Sequence, residues 1–296
     1  FNPTLVYLSA WWGQYESVYA LCALLSLALL LRGRPAWAGL ALGCGLLVKL
    51  QAAVIVPLLG LALATSPLPR GRQLREGGVF LLSVFLSLIV GLGPYALTGQ
   101  LAYLWARLTA VLPAPGWLTV NALNGWYLFS GGQGNWAFNA PLLQPDTAPL
   151  LGSLSARTVG QVALAIWSLS VLALAWRAAR RQEGDARSGW FLAGALLYVG
   201  VFLWPTKAHE RYLFAALPLL AGAWAAARSH LVWLMGALYA AFSTVHLFNL
   251  LWAAPFTPAL GGWFGGNPSA GLLIAALSVE LGLWGWAALS TSSPPA

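Results

Sequence analysis

The chain of 296 residues is 59% hydrophobic and only 7% charged, with a mean hydropathy of +0.74 and 17 tryptophans. That balance is too apolar for a soluble domain and reads as an all-α polytopic integral membrane protein. Its formal net charge of +8 does not point to nucleic acid, because the basic residues are scattered between apolar runs and form no patch interleaved with aromatics. Cys22 and Cys44 fall inside apolar runs without metal spacing and read as small buried residues. The chain opens at Phe1 without a methionine or a charged leader, and the expectation is that the first helices and first external loop of the natural protein lie upstream.

In chain order, apolar runs cover 16–31, 36–48, 50–65, 78–97, 158–176, 189–205, 212–227, 231–252 and 271–289. Most approach the roughly 20 residues that a membrane span needs, so about nine transmembrane helices in one domain over residues 1–296 are expected. The second and third runs joined would make one helix of about 45 Å against a hydrocarbon core of about 30 Å. A single span would also separate Arg32 and Arg34 from Arg70, Arg72 and Arg75. Two short spans turning at Lys49, Leu50 and Gln51 keep these arginines on one side, in line with the positive-inside tendency.

With that choice Arg32, Arg34, Arg70–Arg75, Arg177–Arg187 and Arg228 all face the cytoplasm. The outer face then receives residues 1–16, the Lys49 turn, the long segment 98–157, the stretch Lys207–Tyr212 and the Gly/Pro-rich loop 253–270. The segment 98–157, with Trp105, Trp117, Trp126 and Trp136, is too long and too aromatic for a linker and is expected to hold interfacial helices as a surface lid. No soluble domain or internal repeat is visible, and the only low-complexity stretch is the tail Ser290–Ala296.

The densest polar stretch is Thr206, Lys207, Ala208, His209, Glu210, Arg211 and Tyr212, set between two apolar runs. Each charge at a bilayer centre costs about 2.5 to 3.5 kcal/mol, so this cluster belongs in a surface loop or a polar cavity. Its plain reading is a solvated loop with Lys and Arg snorkelling beside it; its functional reading is a site for a phosphate-bearing ligand. Glu16 follows Trp11, Trp12 and Gln14 where a loop enters a span. It is either a helix N-terminal acid favoured by the macrodipole or a carboxylate that orients a hydroxyl or acts as a base beside stacking aromatics. Lys49 and Gln51, at a break between short helices, either snorkel or line a polar cavity. Asn121, Asn124, Trp126 and Tyr127 mix amides with aromatics, as carbohydrate sites do and as many loops do. His246 and Glu280 lie within apolar runs, where they are costly unless they face the bundle interior. Spacings for zinc, nucleotide-binding loops and serine hydrolases are absent, so no metal ligand is assigned and the cofactor stays unknown.

Taken together, Asn2-Pro3, Trp12-Gly13-Gln14-x-Glu16-Ser17, Lys49-x-Gln51-Ala52 ahead of Pro57, Asn121-Ala122-x-Asn124-x-Trp126 and His209-Glu210-Arg211-Tyr212-Leu213 resemble the bacterial multi-spanning mannosyltransferases. These are similar to the eukaryotic enzyme that adds the second mannose to glycosylphosphatidylinositol anchors, and they belong to the GT-C class. The resemblance runs from Phe1 to about Leu220. It implies a GT-C-like fold and an enzyme of the bacterial plasma membrane whose active site faces outside. The enzyme would pass a sugar, mannose by the resemblance, from a polyprenyl-phosphate donor to a hydroxyl of a glycan or lipid acceptor. Glu16 and His209 are then the catalytic candidates. Trp12, Gln14, Lys49, Gln51, Asn121, Asn124, Trp126, Lys207, Glu210, Arg211 and Tyr212 are the substrate-binding candidates, with Arg211 on the departing phosphate. The class ordinarily places an acidic base in its first external loop. Here the only aspartates, Asp146 and Asp185, do not match that position, so the base lies upstream or Glu16 takes the role. The rival reading is a transporter or flippase of an anionic lipid or solute, which would also want cations near a cavity and would show matching broken helices in two halves; a noncatalytic membrane scaffold is a third.

The arginine distribution generates a topological prediction: cysteines placed in 98–157 and in 206–212 should both react with an impermeant thiol reagent added from the non-cytoplasmic side. Labelling of the two from opposite sides would overturn the arrangement.

Overall fold

The computed structural model describes residues 2–111, 116–132, 145–180, 186–228, 231–253 and 267–291. Trp136, Asp185, most of the Gly/Pro-rich loop 253–270 and the tail from 292 lie outside the described residues. Helices dominate: α1 (Pro3–Val6), α2 (Glu16–Leu30), α3 (Pro35–Val48), α4 (Val56–Ala64), α5 (Arg70–Leu97), α6 (Leu101–Val111), α7 (Gly125–Phe129), α8 (Ala156–Arg180), α9 (Ala186–Leu203), α10 (Ala216–Ala226), α11 (Leu231–Ala253) and α12 (Pro268–Thr291). A π-helical turn spans Tyr7–Trp11, and 3₁₀ turns span Leu50–Ile55 and Glu210–Ala215. The strands β1 (Pro149–Leu151) and β2 (Leu154–Ser155) form a small antiparallel ribbon in the long segment where interfacial helices were expected, and α6 and α7 are helices in that segment.

Among the described residues, four helices are long and apolar enough to cross a membrane: Arg70–Leu97, Ala156–Arg180, Leu231–Ala253 and Pro268–Ser290. Glu16–Leu30, Pro35–Val48, Leu50–Ala64 and Arg187–Leu203 are apolar but shorter. The run at 212–227 opens as a 3₁₀ turn, so α10 keeps 11 residues, about 16 Å of helix and half a hydrocarbon core. Two compact units divide the chain: a smaller one, Val18–Pro115, and a larger one made of Phe1–Ser17 with Gly116–Ala296.

In the smaller unit α2 and α3 form an antiparallel hairpin, with Ser26 Oγ donating to Ala38 O at 2.9 Å and the turn closed by Gly33 at φ +68°. The helix α3 then packs parallel to α5, in a register that small residues set. Gly39 lies against Ser83, Gly43 against Ser87, and Leu47 against Gly91, each four residues beyond the last. A Cβ on Gly43 would stand 2.5 Å from Ser87 Cβ, so the two backbones approach only because those positions are small. Parallel packing puts the starts of α3 and α5 at the same end, with Arg32, Arg34, Arg70, Arg72 and Arg75. The intervening Leu50–Ala64 therefore brings the chain back along the unit, as the two-segment reading of 36–65 expected. The break falls at Lys49, which adopts an extended conformation (φ −159°, ψ 129°).

The larger unit is a run of antiparallel neighbours. Trp167 Nε1 donates to Leu196 O at 2.7 Å between α8 and α9, and Ser188 Oγ donates to Ala223 O at 2.9 Å between α9 and α10. Trp224 meets Tyr239 between α10 and α11, and Trp252 Nε1 donates to Asn267 O at 2.9 Å where α11 faces α12. The helix α9 is buried on every side from Ser188 to Gly200 and forms the centre of this unit. The alternation gathers Arg177, Arg180, Arg187 and Arg228 at one end. The opposite end carries 116–132, 145–157 and 204–215, so these segments of the long loop and the polar stretch do share an end.

The α3–α5 contact predicts that Gly43→Leu will lower the thermal midpoint of the detergent-purified protein by many degrees. Gly60→Ala, whose added Cβ would meet nothing within 4 Å, should leave it unchanged or slightly raised, since Ala gains about 1 kcal/mol over Gly in a helix. Equal melting of the two variants would refute the small-residue packing.

Candidate functional site

At the end of the larger unit remote from Arg177, Arg180, Arg187 and Arg228, three separate chain segments are joined through backbone. Val120 N donates to Ala208 O at 2.9 Å, Lys207 N to Trp117 O at 3.1 Å, and Asp146 N to Gly116 O at 2.8 Å. Asp146, passed over in the sequence, fastens this arrangement. Its buried carboxylate receives Arg157 Nη2 at 2.8 Å and Nε at 3.0 Å, Thr206 Oγ1 at 2.9 Å and Gly116 N at 3.2 Å. Burial alone would raise the carboxyl, but the bonds from Arg157, Thr206 and Gly116 outweigh it and hold Asp146 below its ordinary value.

Two non-glycine residues of this platform, Asn121 (φ 63°) and Lys207 (φ 61°), occupy the left-handed region, a conformation that costs about 1 kcal/mol or more and persists only when the surroundings enforce it. Both are half-buried sequence candidates. Asn124 is architectural. Its Oδ1 caps α7 by accepting from Trp126 N at 3.1 Å and Tyr127 N at 3.3 Å, and its Nδ2 donates to Phe202 O at 3.0 Å. Trp126 donates its indole N–H to Trp204 O. Asn249, which no sequence pattern singled out, projects from α11 to accept from Leu123 N at 2.8 Å and donate to Glu210 O at 3.0 Å.

The charged group beside this platform consists of Glu16, His209, Glu210 and Arg211, with Tyr212 stacked at an angle 5.3 Å from the His209 ring. Arg211 Nη1 donates to Glu210 Oε1 at 3.1 Å. Its Nε lies 3.0 Å from Glu16 Oε1 as an ion pair, off the angle of a hydrogen bond. The Glu16 and Glu210 side chains are 0% and 2% exposed, whereas Arg211 and His209 keep 25% and 31% of theirs accessible. The two carboxylates therefore stand behind the guanidinium and the imidazole. Burial pushes the Glu210 carboxyl above its ordinary range, Arg211 opposes that rise, and the nearby Glu16 adds to it. Glu210 Oε2 makes no hydrogen bond and lies 3.9 Å from His209 Nδ1. Trp12 and Gln14, half-buried, sit on the turn before Glu16, where Gln14 N donates to Leu8 O at 3.1 Å and Trp12 meets Tyr7 edge to face.

Lys49 and Gln51 belong to the smaller unit. Lys49 Nζ lies 5.6 Å from the centroid of the Tyr19 ring, and the Gln51 Oε1 is buried without a hydrogen bond. Of the two ionisable residues inside apolar helices, His246 is fully buried against Phe214, with neither ring nitrogen hydrogen-bonded. Glu280, in contrast, lies exposed on α12.

Close to the platform an apolar groove of about 240 Å³ is lined by Trp126, Phe129, Leu150, Val159, Leu203 and Trp204, among others. Its walls come from α7, β1, α8 and the end of α9. Among the described residues no group of three or more His, Cys, Asp or Glu side chains is placed to hold a metal ion. No family model matches the chain, and no curated protein matches it.

The Asp146 clasp generates a stability prediction. Asp146→Asn removes the charge from a buried carboxylate that accepts from the partly exposed Arg157, weakens charge-assisted hydrogen bonds worth about 1.5 to 3 kcal/mol each, and should open the 116–121 and 145–157 segments to hydrogen exchange. In the unsubstituted protein the depressed carboxyl contributes stability that is present above its unfolded value and lost as pH falls through its folded value. The protection of those segments should therefore decline in acid, and Asp146→Asn should abolish that decline.

Proposed function

We propose that the protein is a membrane glycosyltransferase that moves a sugar, mannose by the sequence resemblance, from a polyprenyl-phosphate donor to a hydroxyl acceptor at the non-cytoplasmic face. The observation that carries this reading is a partly exposed arginine, held by two buried carboxylates, in the same end of a helical unit as an apolar groove. A polyprenyl-phosphate sugar is itself divided in this way, with an apolar chain, an anionic headgroup and a polyhydroxyl sugar. The groove suits an isoprenoid tail. Arg211, whose carboxylate contacts use Nε and Nη1, keeps Nη2 for a phosphate oxygen. The half-buried Trp12, Gln14, Asn121, Lys207 and Tyr212 supply stacking faces and hydrogen-bonding groups for a sugar, and a rigid platform favours the orientation that transfer demands. In this reading the chain is a GT-C-like protein of about nine spans, counting the four shorter apolar helices and the short α10 beside the four long ones, and it sits in the bacterial plasma membrane.

The rival, a transporter or flippase of an anionic lipid, would use the same cation and groove without making a bond. The buried His246 inside α11 is the observation that favours it, since ionisable groups within membrane helices commonly mark transport paths.

The test uses the complete protein with labelled polyprenyl-phosphate mannose and a panel of glycan and lipid acceptors. The expected result is a glycosylated product with release of polyprenyl phosphate; movement of the labelled lipid across a vesicle with no product would establish the transporter. Arg211→Ala should lower transfer by roughly two orders of magnitude, the scale of a buried charge-assisted contact removed from one side. Arg211→Lys should restore only part of it, because an ammonium lacks the planar fork. Undiminished transfer by a folded Arg211→Ala protein would remove the arginine from the site.

A further inference from the structure

We propose that the end of the smaller unit at which α3 and α5 begin is a docking surface for anionic phospholipid headgroups. The inference stands apart from the transferase reading. Five arginines gather there: Arg32 and Arg34 on the turn from α2 to α3, and Arg70, Arg72 and Arg75 in the first two turns of α5, all of them exposed. The only acid between residues 18 and 115 is Glu76, and Arg72 Nε holds it at 3.2 Å. Among the described residues, Arg32, Arg34, Arg70 and Arg75 have no carboxylate partner. A cluster of this density with one counter-charge repels itself, and anions supplied from outside the chain relieve it.

The length of α5 sets the depth of the cluster. Residues 79–97 measure about 28 Å as helix, close to a hydrocarbon core of about 30 Å. The preceding Arg70–Gly78 therefore rise through the headgroup layer, which adds about 5 to 8 Å on each side. Carried back to the helix starts, the register that sets Gly39 against Ser83 brings Arg34 level with Gly78 and within one turn of Arg75. Both turns are fixed by hydrogen bonds. Arg32 N and Arg34 N donate to Leu29 O at 3.1 and 2.9 Å, and Gly33 N donates to Leu30 O at 2.9 Å. Gln73 Nε2 donates to Ser66 O at 2.8 Å across the turn into α5.

The surface suits a lipid in both of its parts. At helical spacing Gly71, Leu74, Arg75 and Gly78 share a face of α5 turned away from α3, which lies against Phe80, Ser83 and Ser87. That face is open: Leu74 is 78% exposed, and a Cβ added to Gly71 or Gly78 would meet nothing within 4 Å. Glycine weakens a helix, and no packing contact accounts for these two; they leave room for a headgroup beside Arg75. On α3, Trp37 is 61% exposed one turn beyond Arg34, a placement suited to the boundary between headgroups and acyl chains. A phospholipid thus meets guanidinium groups, which grip phosphate through a planar fork, with apolar side chains beside them. A zwitterionic lipid carries its own cation and gains less from the same arginines. The larger unit differs: in its sequence Glu183 and Asp185 lie between Arg181 and Arg187, so that run carries its own counter-charge.

The experiment titrates the detergent-purified complete protein with phosphatidylglycerol, phosphatidylcholine or inorganic phosphate and counts the bound molecules by native mass spectrometry. Wild type should bind phosphatidylglycerol about tenfold more tightly than phosphatidylcholine, and the preference should shrink as ionic strength rises. Arg70→Gln/Arg72→Gln/Arg75→Gln should lower that preference roughly tenfold, the scale of several arginines near an anionic headgroup. Arg177→Gln/Arg180→Gln/Arg187→Gln loses the same charge and should lower it by less than about threefold. Arg70→Lys/Arg72→Lys/Arg75→Lys should keep most of it. Should the first variant fail to fold, Arg32→Gln/Arg34→Gln on the neighbouring turn supplies the same reading. Equal binding of the two lipids by wild type, or equal losses in the two glutamine triples, would overturn the proposal. Inorganic phosphate competing as strongly as the lipid would overturn it too, by assigning the arginines to a free anion.

Discussion

A guanidinium fixed between two buried carboxylates is the constraint on which one end of the larger unit depends. Burying Glu16 and Glu210 without a cation would be prohibitive, and Arg211 is the cation on which the two acids converge. Satisfying that requirement brings a residue from the start of the chain beside a 3₁₀ turn nearly two hundred residues later. The same turn is gripped from α11 by Asn249, which also holds the approach to α7. Charge neutralisation and backbone placement are consequently coupled: a shift of the 3₁₀ turn would disturb an ion pair, a helix contact and the loop entering α7 together.

Beside this cluster the platform of 116–121, 145–146 and 206–209 is stiff for a region without long secondary structure. Its backbone groups bond to one another, Asp146 collects four donors, and Asn121 and Lys207 are held in a conformation that an unconstrained residue would leave. The order of this region is thus supplied by the protein's own contacts. The groove continues the same logic on the apolar side, with aromatic and aliphatic walls drawn from four elements.

Within each unit, helix packing follows rules suited to a lipid environment. Where apolar surface has no water to escape, close contact between backbones and a few polar links decide the pairing. The parallel contact of α3 with α5 is an alignment of glycines and serines. On α11 a polar stripe of Ser243 and Asn249 ties the N-terminal segment and the 3₁₀ turn to the bundle; Ser243 accepts from Thr4 through its carbonyl at 2.8 Å and donates to Asn2 at 3.0 Å. His246 lies on the same stripe between them.

The sequence by itself determined that the helices are apolar enough to cross a membrane, the approximate positions of the apolar segments, the break at Lys49 and the gathering of Arg32, Arg34 and Arg70–Arg75 at one end of the smaller unit and of Arg177, Arg180, Arg187 and Arg228 at one end of the larger. Those features are one-dimensional: hydrophobic length, charge asymmetry and helix interruption are carried by neighbouring residues, and a bilayer reads them in that form. The sequence also marked Glu16, His209, Glu210 and Arg211, because charges bordering apolar runs are conspicuous. It did not reveal that Asp146 fastens the platform, that Asn124 is used up as a helix cap, that Asn249 is a clamp, or that Glu16 is sealed behind Arg211. Each of these depends on partners far away in the chain, and burial and hydrogen-bond satisfaction have no value until those partners meet. Only the tertiary structure therefore decided which polar residues hold the protein together and which remain partly exposed.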